Sequence, residues 1–167
     1  MNTMGRALLE TFRYTNASFE WAVDDLDRER LLHRTRGGRG PSIFWHLGHV
    51  LHYRVIALRR LGAAIEGPYG EMFAEEASAE GAGYPSLDEL RARWIEVHAE
   101  LERALAATPD DALEATYRLP DGRESSRTLL AALAFYAWHE AMHMGGVTTI
   151  RVELGAPSLA ERAFGRR

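Results

Sequence analysis

The chain contains no cysteine, no lysine and no glutamine. Without cysteine there are no disulfides, no thiolate metal ligands and no Cys nucleophile, an absence expected in a reducing cytoplasm. Without lysine, Schiff-base chemistry and the lysine of a phosphate-binding P-loop are excluded, and all 20 basic residues are arginine. The formal net charge of −4 lacks the basic surplus on which nucleic-acid binding rests. Long apolar runs are missing too. The longest, residues 129–138, has ten residues, where about 20 are needed to cross a bilayer. Residues 1–10 carry Arg6 and Glu10 and no continuous apolar stretch, so no targeting segment is read there. The expectation is a cytoplasmic protein with neither nucleic acid nor a membrane as partner.

What is present is enough for one core. At 167 residues the chain fits a single domain over 1–167, and 46% hydrophobic with 26% charged residues argues against disorder. Four helices are predicted. The first spans about 3–23, with Leu8, Leu9, Phe12, Thr15, Phe19 and Val23 at spacings of three and four. The second begins after Pro41 with Ser42 as N-cap and runs to about residue 61, before Gly62. The third opens on the capping box Ser86-Leu87-Asp88-Glu89 and ends near Ala107, ahead of Pro109. The fourth starts near Ser126 and ends at Leu154, with Gly155 and Pro157 as stop signals. Between the third and fourth, residues 115–119 read as a short strand before the Asp121-Gly122 turn. Residues 67–85, with four glycines and two prolines, read as a long connection, a lid or a mobile loop. Residues 158–167 read as a short basic tail. With no convincing sheet, the fold class is all-α, a four-helix bundle.

Chemistry concentrates in the seven histidines. His139 and His143 are four apart in the last helix, about 40° apart in projection, so both leave one face. That face also carries Ala132, Phe135, Tyr136 and Ile150, so the rings point inward. Two buried imidazoles either find hydrogen-bond partners or share a cation at about 2.0–2.1 Å. The second helix offers His46, His49 and His52, each turned about 60° backward from the last, so one ion cannot take all three from a straight helix. The projection ranks His49 first, with His46 and His52 as alternatives. This helix is apolar on two sides, through Trp45, Tyr53 and Ile56 and through Ile43, Leu47, Val50, Leu51 and Leu58. It is therefore wedged between neighbours or also forms a subunit interface. His33 and His98 read as solvated surface residues. The run His139-Glu140-x-x-His143 also matches the zincin pattern, with Gly146 extending it toward the metzincin form. The metzincin third histidine is replaced by Thr149, there is no substrate-binding sheet, and Glu140 is rotated about 100° from His139, toward a neighbouring helix.

The segments Ser42-Ile-Phe-Trp-His-Leu-Gly-His-Val50 and His139-Glu-Ala-Met-His-Met-Gly-Gly-Val147, followed by Ile150-Arg151 and Leu154-Gly155, resemble the DinB/YfiT-like family. Trp45, Leu47, Gly48 and His49 match its W-x-L-A-H-like motif, which favours His49 over His46, and His139 and His143 match its H-x-x-x-H motif. Gly146 stands where many relatives have glutamine after the glycine of H-x-G-Q. The resemblance implies an up-down-down-up bundle, a homodimer, and a divalent ion, Zn or Ni, held by His49, His139 and His143. It also implies a metal-dependent thiol S-transferase, joining a low-molecular-weight thiol such as mycothiol, bacillithiol or glutathione to a small-molecule electrophile. Three ligands leave a coordination position open, as catalytic sites do. Trp45, Tyr53 and Tyr136 are then candidate substrate-binding residues, and Arg151 is assigned to a structural ion pair. The competing readings are a non-catalytic metal-binding bundle and, more remotely, a zincin-like hydrolase.

Overall fold

The computed structural model describes residues 3–74 and 81–165. Four long helices make the body: α1 (Thr3–Val23), α4 (Ile43–Arg60), α5 (Leu87–Ala107) and α7 (Leu129–Glu153). Three of them begin where the local chemistry says they should. Ser42, Ser86 and Thr128 accept from backbone N–H groups in the first turns of α4, α5 and α7, satisfying donors that a helix start leaves orphaned. Gly155 takes φ 73° just past α7, a left-handed stop that a Cβ would strain.

Helix directions follow from the side-chain pairs. Glu140 of α7 meets Thr15 in the middle of α1, and Arg151 meets Ala22 and Asp25 at its end, so α1 and α7 run parallel. His46 pairs with His143, and His49 with His139, so α4 opposes α7. Arg13–Glu102 and Arg91–Glu20 set α5 against α1. The order is up-down-down-up. α7 packs on α1 and α4, and α5 packs on the same two helices. Because α4 and α5 run the same way, the chain must return along the molecule between them. Of that return, residues 61–74 and 81–86 are described, and their Phe73 and Tyr84 rings pack on Phe44 of α4, with centroids 6.5 and 5.5 Å away. Residues 43–51 are buried without a break. Both apolar sides of the second helix pack within the chain, with Tyr53 and Ile56 only partly buried.

The shorter elements were only partly expected. The strand β1 (Thr116–Arg118) does form, but it pairs antiparallel with β2 (Glu124–Thr128), and α7 starts three residues later than Ser126. The run Glu-Ser-Ser-Arg-Thr has no apolar alternation, and β2 is mostly exposed. Its pairing comes from the Asp121-Gly122 turn rather than from burial. The one-turn helix α2 (Arg28–Leu31) is capped by Asp27, and α6 (Asp110–Glu114) carries the fully buried Leu113. In the turn α3 (Thr35–Gly38), Arg36 takes φ 56°. The expected basic tail is in part a helix, α8 (Leu159–Phe164). Ser158 and Glu161 form its capping box, the same Ser-x-x-Glu signal that opens α5. Residues 75–80 of the expected lid, and residues 166–167 of the tail, lie outside the described residues.

Candidate metal centre

α4 and α7, antiparallel and in contact, bring together histidines that are 90 or more positions apart in the chain. The Nε2 atoms of His49 and His139 are 3.4 Å apart, and those of His139 and His143 are 3.1 Å apart. One ligand atom from each of the three lies within 4.8 Å of the other two. Two nitrogens bound tetrahedrally to one ion at about 2.0–2.1 Å stand roughly 3.3 Å apart, close to the 3.4 and 3.1 Å of these two pairs. All three rings are buried.

The donor chemistry fits as well. His49 Nδ1 lies 2.7 Å from the carbonyl oxygen of Phe73, which can only accept. The proton of neutral His49 is therefore on Nδ1, and Nε2 presents a lone pair to the cluster. His143 has its Nδ1 2.8 Å from Nδ1 of His46. Burial pushes His143 down to about 3, helped by the neighbouring His49, His46 and His139. Burial, with His49 beside it, likewise holds His46 down at about 4. Both are neutral near pH 7, the state in which imidazole ligates. Among the described residues no carboxylate or further histidine joins these three.

The other histidines stay outside. His46 is buried behind His143. His52 is half-buried, edge-on to Tyr53 at 5.7 Å between centroids. The His33 side chain is 40% exposed and lies 3.4 Å from Glu153. His98 corrects the surface reading: its side chain is only 12% exposed, and burial, then the charge of Arg54, pushes it down to about 4. Its i+4 Glu102 and its place beside the apolar stripe look exposed in sequence, but Arg54 of α4 and Arg13 of α1 stand near it.

Of the candidate substrate residues, Trp45 and Tyr53 pack on the cluster and Tyr136 packs on Tyr53. The Trp45 ring stacks on His49 with centroids 4.4 Å apart and planes at 19°. Tyr53 stands 4.3 Å from the His139 ring and 6.0 Å from Tyr136. The walls are therefore aromatic.

Glu140 points elsewhere. Its carboxylate accepts from Arg54 Nε at 2.8 Å and Nη2 at 2.9 Å, and from the Thr15 hydroxyl at 2.5 Å. Arg54 also donates to Asn16 and lies 4.1 Å above the Trp94 ring. This buried fork joins α1, α4, α5 and α7, and it leaves Glu140 no role as the general base of a zincin. Arg151 is structural as expected. It donates to the carbonyls of Ala22 and Pro157 and to Asp25, tying the ends of α1, α7 and α8.

Two features of the centre were not found from sequence. The Phe73 carbonyl has no sequence signal of its own. Gly48, one residue before His49 in mid-helix, is the nearest clue, because a Cβ there would run into the Phe73 ring. Arg54 has no sequence signal of its own among the polar residues of α4.

The chain is similar to known proteins. The model of the DinB superfamily matches residues 11–147. A candidate metal-dependent hydrolase of Bacillus mycoides is 29% identical over 143 residues, covering 80% of this chain and 77% of its own. One from Bacillus cereus gives the same figures, 29% over 143 residues with 80% and 77% covered. Among solved structures, YfiT from Bacillus subtilis is described as a probable metal-dependent hydrolase with an unusual four-helix bundle topology. It superposes with a TM-score of 0.67 over 91% of this chain and 88% of its own, at 20% identity. That likeness bears on the fold. The family follows from the matched span, which takes in all of α4 and α5 and most of α1 and α7: the chain belongs to the DinB superfamily.

Proposed function

We propose that the protein is a metal-dependent enzyme of the thiol S-transferase type. In this reading the Nε2 atoms of His49, His139 and His143 hold one divalent ion, Zn or Ni. A low-molecular-weight thiol is joined to a small electrophile beside it. The observation that carries the reading is the convergence of three buried imidazoles with, among the described residues, no carboxylate in the group. A divalent ion held there supplies Lewis acidity, lowering the pKa of a thiol or water in its open position. A thiol so placed needs no separate protein base, and Glu140 is not free to be one. Trp45, Tyr53 and Tyr136 offer the polarizable, largely apolar wall that suits sulfur and a small electrophile. In the transfer the sulfur–carbon bond forms as the bond to the leaving group breaks, and the thiol proton passes to solvent.

Hydrolysis is the second reading, favoured by the names of the Bacillus relatives; water then takes the place of the thiol. The experiment that separates them is a titration of the cobalt(II)-substituted protein with glutathione, bacillithiol or mycothiol. A sulfur-to-metal charge-transfer band supports the transferase. An unchanged spectrum at saturating thiol, with metal-dependent cleavage of activated esters, supports the hydrolase. Neither response leaves a non-catalytic metal-binding bundle. The homodimer belongs to the same proposal. Phe135, Trp138 and Met142, 41%, 59% and 48% exposed at successive turns of α7, are the apolar surface that supports it. Sedimentation velocity on the native chain and on Trp138→Glu tests that point.

A further inference from the structure

A ligating histidine has a second ring nitrogen, and what that nitrogen meets decides how firmly the first is aimed. For His49 the partner is a backbone carbonyl, at 2.7 Å. For His143 it is another side chain, His46, at 2.8 Å between the Nδ1 atoms. His46 sits one turn before His49 on α4, and its ring centroid is 5.0 Å from that of His143. The ring reaches this place only because α7 has no side chain at position 146. A Cβ on Gly146 would stand 2.9 Å from both Cε1 and Nε2 of His46, closer than real Cβ contacts come. A glycine in mid-helix is destabilising relative to alanine, so its presence there calls for a reason, and the His46 ring is the group that occupies the space.

We propose that His46 is a positioning residue of the metal centre: its Nδ1 accepts the Nδ1–H of His143 and holds Nε2 of His143 toward His49 and His139, in a seat that Gly146 opens. When Nε2 of His143 ligates, its remaining proton must be on Nδ1. His46 must then be the acceptor, with its own proton on Nε2, on the side facing Gly146. Binding of the ion and the direction of this hydrogen bond are one event. The inference rests on the metal-site reading above, and its test keeps the two apart.

The test measures zinc affinity by chelator competition for the native chain and for His46→Asn, His46→Phe and Gly146→Ala. Asparagine places its carbonyl oxygen near the position of the lost Nδ1 and keeps the acceptor. Phenylalanine keeps the ring volume and removes the acceptor. The proposal expects His46→Asn to bind within a few-fold of the native chain. It expects His46→Phe to lose roughly 10–100-fold, the usual effect of removing a ligand's outer partner. Gly146→Ala, which pushes the ring off its seat, falls between them. A role in packing alone predicts the reverse order, with Phe better than Asn. A second readout needs no variant: in the zinc-loaded native chain, His143 Nδ1–H gives a solvent-protected proton resonance that couples across the hydrogen bond to His46 nitrogen. Equal affinity of the native chain and His46→Phe, or no such resonance, overturns the proposal and leaves the three-histidine site intact. A native chain that binds no zinc overturns both.

Discussion

Each imidazole in the centre has two nitrogens to satisfy, and the protein's own groups use one of them in His49 and in His143. Removing a ligand therefore removes the ion and leaves the rest of the core in place. His49→Ala and His139→Ala are each expected to lose stoichiometric metal, measured by elemental analysis after purification without a metal-affinity column. Full metal content in both would place the ion elsewhere. Protons act on the same residues in the metal-free protein. His46, His98 and His143 are held at about 4, about 4 and about 3 in the folded chain, against about 6.5 in an unfolded one. As pH falls from about 6.5 toward 4, the unfolded chain takes up protons that the folded chain refuses, so stability falls through that window; above it these groups contribute no slope. Thermal melting of metal-free protein should give a lower Tm at about pH 5 than at about pH 7.5. An equal or higher Tm in acid would contradict the burial of these rings.

Between elements, two contacts decide how α4 meets its neighbours. At Gly48, alanine would gain about 1 kcal/mol of helix propensity, but it would overpack against the buried Phe73 ring, which typically costs about 1–3 kcal/mol. The clash is with a ring fixed at 1% exposure, so the overpacking should win. Gly48→Ala is expected to lower the urea midpoint and to weaken metal binding, since the Phe73 carbonyl that aims His49 moves with the ring. A stabilised variant with native affinity would show that the loop is not seated this way. The Arg54–Glu140 fork is buried, its side chains 0% and 1% exposed. Arg54→Met strands a carboxylate in the core and should cost about 3–5 kcal/mol, whereas the double change Arg54→Met, Glu140→Leu should recover most of that loss. Denaturant unfolding measures both. Metal content of the double variant should stay native, because neither residue is among the three ligands.

Over the molecule as a whole, ion binding and folding are coupled because the ligands come from two helices that are adjacent only in the folded state. Free zinc at about 100 times its Kd should stabilise by about 2.7 kcal/mol. That shift appears as a higher Tm on adding zinc and vanishes in His139→Ala. No change of Tm with zinc in the native chain would mean that the three nitrogens do not act as one site. No helix of the described residues is long and apolar enough to cross a membrane, in keeping with a bundle whose longest helix, α7, buries His139, Glu140, His143 and Arg151 along its length.

Local rules made the four long helices legible, because spacing of apolar residues, N-caps and stop signals act over a few residues and need no partner. They also made His139 and His143 legible as a pair, since four residues along one helix fix which face they share. Between positions 46 and 49 those rules offer a ranking but no decision: both project inward, and the choice depends on where α7 crosses α4. The register of that crossing puts His49 Nε2 beside His139 and turns His46 into a neighbour of His143. The Phe73 carbonyl, the burial of His98 and the turning of Glu140 onto Arg54 are likewise consequences of packing, because each is settled by atoms from an element remote in the chain. Short polar segments such as β2 and α8 escaped for a different reason: they bury so little that no hydrophobic period marks them, and only a turn or a cap does.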